Sequence, residues 1–248
     1  VINELNKKSP IEIFPTFLGA HAIPENKEKE QYIEQILFEM LPLVAQKKLA
    51  AFIDVFCENG YFTAEETGVI LQQGKKFGLI PKLHTNQFYS IGGIKAAVEN
   101  NVISADHLEV MKPTDIELLK DKGIIACLLP GVSYFLDIGY APARKLIESN
   151  IPVALATDFN PGTCMTENIQ FIMSLAAQKL KMNTEEIINA VTINGAAALG
   201  ISDKTGSIEV GKKGDIVIFD MPDYRHLIYH FGVNHLEKVI KNGEVVKL

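Results

Sequence analysis

Ile151-Pro-Val-Ala-Leu-Ala-Thr-Asp158-Phe-Asn160-Pro-Gly162-Thr163-Cys164 decides how the chain is read. An apolar, strand-like run from Pro152 to Ala156 ends in a carboxylate, and Asn160, Pro161 and Gly162 then turn the chain. In parallel α/β proteins the strand ends converge on one face, where loops carry chemistry and strands hold position. Asp158 therefore stands where a metal ligand or a base would sit. An aspartate that merely caps a turn is the competing reading. What separates the two is whether other strands end in the same way, and they do.

Ile11 to Ala20 leads to His21, Leu79-Ile-Pro-Lys-Leu leads to His84, and Val102-Ile-Ser-Ala-Asp leads to His107. Any one such histidine is more readily a hydrogen-bonded rim residue than a ligand, but three histidines and an aspartate at successive strand ends form a pattern. Imidazole and carboxylate are the usual donors to zinc or iron, and a catalytic site keeps one position open for water. His226, His230 and His235 lie in the C-terminal tail, away from this pattern, and receive no role.

Between these strands lie amphipathic helices. Ile33, Ile36, Leu37, Met40 and Leu41 recur at helical spacing, Thr63 and Glu66 have the spacing of a capping box, and so do Thr114 and Glu117. Further helices are expected from Gly92-Gly93 to Val98, from Ala141 to Ser149, from Thr166 to Met182, and after Thr184 and Gly195. Strands opening at Ile11, Ala50, Leu79, Val102, Ile124 and Pro152 make six βα units. Two more would close a (β/α)8 TIM-type barrel; an open flavodoxin-like sheet is the alternative, but no Gly-rich phosphate loop follows a first strand. Gly206 to Asp220 and Glu237 to Val246 read as hairpin strands. The expected organisation is a partial barrel with C-terminal helices over 1–205 and part of a small β-sandwich domain over 206–248.

Composition narrows the partner. Lys and Arg number 24 against 30 Asp and Glu with no basic cluster, so neither nucleic acid nor an anionic membrane is expected, and a small molecule is. The cysteines Cys57, Cys127 and Cys164 lack pairing or metal-finger spacing, which suggests a reducing, cytoplasmic compartment and buried packing roles. No apolar run reaches the roughly 18 residues of a membrane span. Glu58, at a strand end, is read as a turn cap.

Pro15-Thr-Phe-Leu-Gly-Ala-His21-Ala-Ile-Pro24, Lys82-Leu-His84-Thr-Asn-Gln87, Ser104-Ala-Asp-His107-Leu and Ala156-Thr-Asp158-Phe-Asn160-Pro-Gly162-Thr163 together resemble the imidazolonepropionase family of the amidohydrolase superfamily. The resemblance implies a metal-dependent hydrolase barrel that opens the ring of 4-imidazolone-5-propanoate with water, giving N-formimidoyl-L-glutamate in histidine degradation. It implies one divalent or trivalent metal, zinc or iron, with His84 and Asp158 among its ligands. Asp158 and His107 would be catalytic, and His21, Gln87, Asn160, Gly162 and Thr163 would bind substrate; a homodimer is left open. The family's His-x-His pair, and its early Arg and Tyr, have no match here, so the chain is expected to be the C-terminal part of such an enzyme. Two alternatives stand beside this: another deaminase or cyclic amidase of the superfamily, and a non-catalytic barrel fragment.

Overall fold

The computed structural model describes residues 1–246. Six parallel strands, β1 Thr16–Ala20, β2 Phe52–Cys57, β3 Ile80–Thr85, β4 Ser104–His107, β5 Ile125–Leu128 and β6 Val153–Leu155, are hydrogen-bonded in simple chain order. That order is the barrel's; a doubly wound sheet reverses direction at a switch point. The expectation of a TIM-type βα architecture is met, with six units. A separate antiparallel sheet holds β7 Ile216–Phe219, β8 Leu236–Lys241 and β9 Glu244–Val246.

The chain divides into two compact units, Val1–Ala126 with Ser149–Ile151, and Cys127–Glu148 with Pro152–Leu248. In the first, β1 to β4 carry a buried apolar interior built from Phe52, Ile53, Val55, Leu83 and Ala105. The helix Ala64–Lys76 closes against β2 and has the expected capping box: Thr63 Oγ1 accepts from the Glu66 amide at 3.2 Å, and Glu66 accepts from the Thr63 amide at 2.7 Å. In the second unit, the helix Ile169–Lys179 buries Ile172, Met173, Leu175 and Ala176. Arg144 grips Glu186 through its two terminal guanidinium nitrogens, at 2.9 and 2.7 Å, tying the helix Ala143–Glu148 to the helix Thr184–Val191.

Several local readings change. β1 begins at Thr16 rather than Ile11, because the main chain at Ile13 is taken up by the Asn6 side chain, which both donates to Ile13 O and accepts from Ile13 N at 2.7 Å. The stripe over residues 32–44 is Tyr32, Ile36, Leu41 and Val44. Its five-residue step coincides with a π-helical turn, Ile36–Met40, whose extra residue a regular helical period does not anticipate. Thr114 and Thr184 do not cap. At the first helix the Asp115 carboxylate accepts from the Lys112 amide at 3.0 Å, and at the second Asn183 and Glu186 cap reciprocally, one residue before Thr184. Gly195 lies inside the helix Ile193–Ala198 and does not lead it. Residues 206–215 form loop rather than strand, and only 216–219 pair; Asn242 and Gly243, both at positive φ, make the tight turn from β8 to β9.

Gly93 is the tightest backbone approach near the strand ends: a Cβ there would lie 1.8 Å from Thr85 Oγ1, whose hydroxyl is already bonded to Cys57 O at 3.0 Å. Gly93→Ala is expected to destabilise the protein by about 1–3 kcal/mol through overpacking, read as a lower urea midpoint with unchanged slope.

Candidate active site

Parallel register aligns the ends of the first strands. Phe56 on β2 pairs with His84 on β3, and His84 with Asp106 on β4, so Thr85 pairs with His107. Side chains two residues apart share a face, which puts Asp54 and Phe56, Lys82 and His84, and Ser104 and Asp106 on common rows. β1 reaches the same level through an irregularity: Phe17 pairs with Ile53 but Ala20 with Val55, three residues against two. Bulges of this kind re-aim the residues that follow, and His21 comes next.

The result is a file of three imidazoles. His21 and His84 meet edge to face at 4.8 Å between ring centroids, and His84 and His107 at 5.1 Å. The histidine expected at each of these strand ends is therefore in contact with the next. Beneath them lies Asp54, 1% exposed. His21 Nε2 lies 3.2 Å from its Oδ1 and His84 Nδ1 3.0 Å from its Oδ2, and the His84 main-chain amide donates to Oδ1 at 3.2 Å. Burial pushes the Asp54 carboxyl up, but the charge of His84 and the hydrogen bonds from His21 and His84 outweigh it, and the group stays ionised well below the usual carboxylate range. Among the described residues, His21, Asp54 and His84 also form the one cluster with a donor set suited to a cation, their ligand atoms lying within 4.8 Å of one another.

His107 is buried and takes a positive φ of 82°, followed by Leu108 at 68°. Asn86 and Asp158, past the ends of β3 and β6, are also left-handed, at 55° and 50°. Side-chain-bearing residues adopt this region at a cost, and such strain persists only where the surrounding structure holds it. Among the described residues His107 Nδ1, which is buried, has no hydrogen-bond partner, and Glu109 Oε2 lies 3.6 Å away.

The loop carrying Gln87 is anchored on both sides. Asn86 Nδ2 donates to Val110 O at 2.8 Å and Asp115 Oδ2 at 3.2 Å. The buried Glu58 carboxylate accepts three main-chain amides, Asn59 at 2.8 Å, Phe88 at 2.9 Å and Tyr89 at 3.1 Å. Glu58 caps its own turn, as expected, and clamps the next loop as well. Gln87 between these anchors is 6% exposed.

Asp158, Asn160, Gly162 and Thr163 belong to the second unit and form a closed turn. Asn160 Oδ1 accepts the amides of Gly162 at 2.9 Å and Thr163 at 2.8 Å, while its Nδ2 donates to Asp158 O at 2.8 Å and Thr163 Oγ1 at 2.9 Å. The three residues expected to contact substrate thus hold one another in place. Cys57, Cys127 and Cys164 form no disulfide and are buried, and burial raises the Cys57 and Cys164 thiols, which suits packing rather than nucleophilic roles.

Sequence reading passed over Asp54, Asp106 and Glu109. Asp54 did leave a signal: an isolated carboxylate inside Phe52-Ile-Asp-Val-Phe56 is too expensive to bury unless something pairs with it.

A strand-end array of imidazoles over a buried carboxylate, on sequentially ordered parallel βα units, is the arrangement of a metal-dependent hydrolase barrel. A model of the Amidohydrolase family matches residues 63–247, and the chain belongs to that family. The imidazolonepropionase of Flavobacterium johnsoniae is 50% identical over 99% of this chain and 61% of its own length. That of Alkaliphilus metalliredigens is 47% identical over 99% and 59%. The chain thus spans about 60% of the length of these curated relatives. Among solved structures, an adenosine deaminase from Xanthomonas campestris with bound zinc superposes at TM-score 0.75, with 18% identity over 98% of this chain and 62% of that one. An Xaa-Pro dipeptidase superposes at 0.71, with 20% identity over 98% and 71%. At such identities these two speak for the fold alone.

Two expectations follow. Because the Asp54 pKa is depressed in the folded state, its contribution to stability is full above the unfolded carboxylate value of about 4 and is lost as pH falls below it. Thermal melts of the metal-free protein between pH 6 and pH 2 should show this loss, and Asp54→Asn should flatten it. Glu58→Gln exchanges an acceptor oxygen for a donor and leaves a buried amide unpaired, so it should lower stability by about 1–3 kcal/mol in urea unfolding.

Proposed function

We propose that this chain forms the histidine-bearing part of an imidazolonepropionase, which hydrolyses the cyclic amide of 4-imidazolone-5-propanoate to N-formimidoyl-L-glutamate in histidine degradation. The observation that carries the reading is 45–50% identity to curated imidazolonepropionases over nearly the whole chain. The contact of His21, His84 and His107 supports it by supplying the chemistry such a reaction needs.

The resemblance implies one zinc or iron ion, with the His84 imidazole and the Asp158 carboxylate as two of its ligands. When bound, such an ion acidifies water toward a pKa of about 7 and polarises a carbonyl. The protein's own groups do the rest. Asp158 takes the proton of the attacking water. His107, buried with an unsatisfied Nδ1, polarises the lactam carbonyl or passes a proton to the departing nitrogen. His21 orients the imidazolone ring and Gln87 hydrogen-bonds it. Gln87 has no basic lone pair to offer as a carboxylate would, which leaves proton transfer to Asp158 and His107. Asn160, Gly162 and Thr163 receive the propanoate carboxylate, in a turn whose shape Asn160 sets. The ligand is a small molecule; among the described residues no helix is long and apolar enough to cross a membrane.

The test is elemental analysis and turnover of 4-imidazolone-5-propanoate on one preparation of an enzyme that carries this segment at the full length of the curated relatives, with the product identified by mass. About stoichiometric zinc or iron and formation of N-formimidoyl-L-glutamate are expected. His107→Ala should lower turnover by about 10²–10⁴-fold while retaining metal, whereas Asp158→Asn should lose both. Turnover unaffected by either substitution would overturn the assignment.

A further inference from the structure

The buried Asp54 carboxylate touches two site histidines that come from different strands. Its three hydrogen bonds run to His21 Nε2, His84 Nδ1 and the His84 amide, at 3.2, 3.0 and 3.2 Å. An ionised carboxylate only accepts, so each nitrogen facing it must carry its hydrogen. In a neutral imidazole the other nitrogen then bears the lone pair. We propose that Asp54 is a positioning residue that selects the Nδ1–H tautomer of His84 and the Nε2–H tautomer of His21, leaving His84 Nε2 as the metal donor and His21 Nδ1 as an acceptor for a ring N–H of the substrate.

The same geometry argues against Asp54 as a ligand itself. The His84 amide that points at Oδ1 belongs to the β2–β3 ladder and cannot turn away, and a cation bound at that oxygen would face its N–H. Orientation from behind is the arrangement metal-bound histidines commonly have, and loss of such a partner lowers metal affinity by roughly 10–100-fold. Asp106 lies farther off, with Oδ2 3.8 Å from His84 Nδ1, and its Oδ1 accepts from Ser104 at 2.7 Å, so it does not compete for the proton.

This inference rests on His84 and His21 having the roles given above, but it is tested without metal or substrate. Long-range proton–nitrogen spectra of the metal-free, 15N-histidine-labelled protein at about pH 9, where ordinary imidazoles are neutral, report which nitrogen carries the hydrogen. His84 is expected as Nδ1–H and His21 as Nε2–H. In Asp54→Asn, one oxygen remains to accept and an amide NH2 must find an acceptor, so at least one ring should switch tautomer, with roughly 10–100-fold weaker zinc binding in a chelator competition. His84 protonated on Nε2 in the unaltered protein would overturn the proposal, and so would identical tautomers in Asp54→Asn. The spectrum of the unaltered protein decides even if that variant does not fold. Correct tautomers with no zinc uptake by an enzyme that carries this segment at the full length of the curated relatives would instead overturn the functional reading and leave the role of Asp54 standing.

Discussion

A carboxylate at 1% exposure cannot persist without compensation, and Asp54 finds it in two imidazoles and a main-chain amide. That constraint links β1, β2 and β3. The strands must run in register so that the Asp54 row lies one step below the Phe56 and His84 row, and β1 must take its irregular step so that His21 comes down onto the same group. A one-residue slip of β2 would turn Asp54 to the opposite face and leave both rings without their partner.

In each of the two units, strand-end loops are held through their backbone. Glu58 holds the main chain at Phe88 and Tyr89, Asn86 reaches Asp115, and Asn160 ties its own turn closed. Each anchor sits next to a residue assigned to chemistry, so Gln87 and Asp158 project from segments that have little freedom left. The left-handed residues at the ends of β3, β4 and β6 belong to the same scheme: their local strain is held by the packed strands behind them.

Much of this was legible in the chain. Apolar runs ending in His21, His84, His107 and Asp158 gave away the parallel βα order, since strand periodicity and capping are encoded locally, as at Thr63 and Glu66. Local rules failed where a neighbour competed for the same groups. Asn6 drew the Ile13 main chain out of β1, a π-helical turn shifted the buried stripe by one residue, and Asp115 and Asn183 capped helices that threonines were expected to begin.

The sequence by itself determined the fold class and the place of the histidines at the strand ends, because residue type and spacing along a strand are enough to name both. Only the tertiary structure decided which carboxylate stands behind them. Asp54 lies 33 residues from His21 and 30 from His84, and no local pattern connects the three. Parallel pairing, which acts through register across separate strands, brings them to hydrogen-bonding distance.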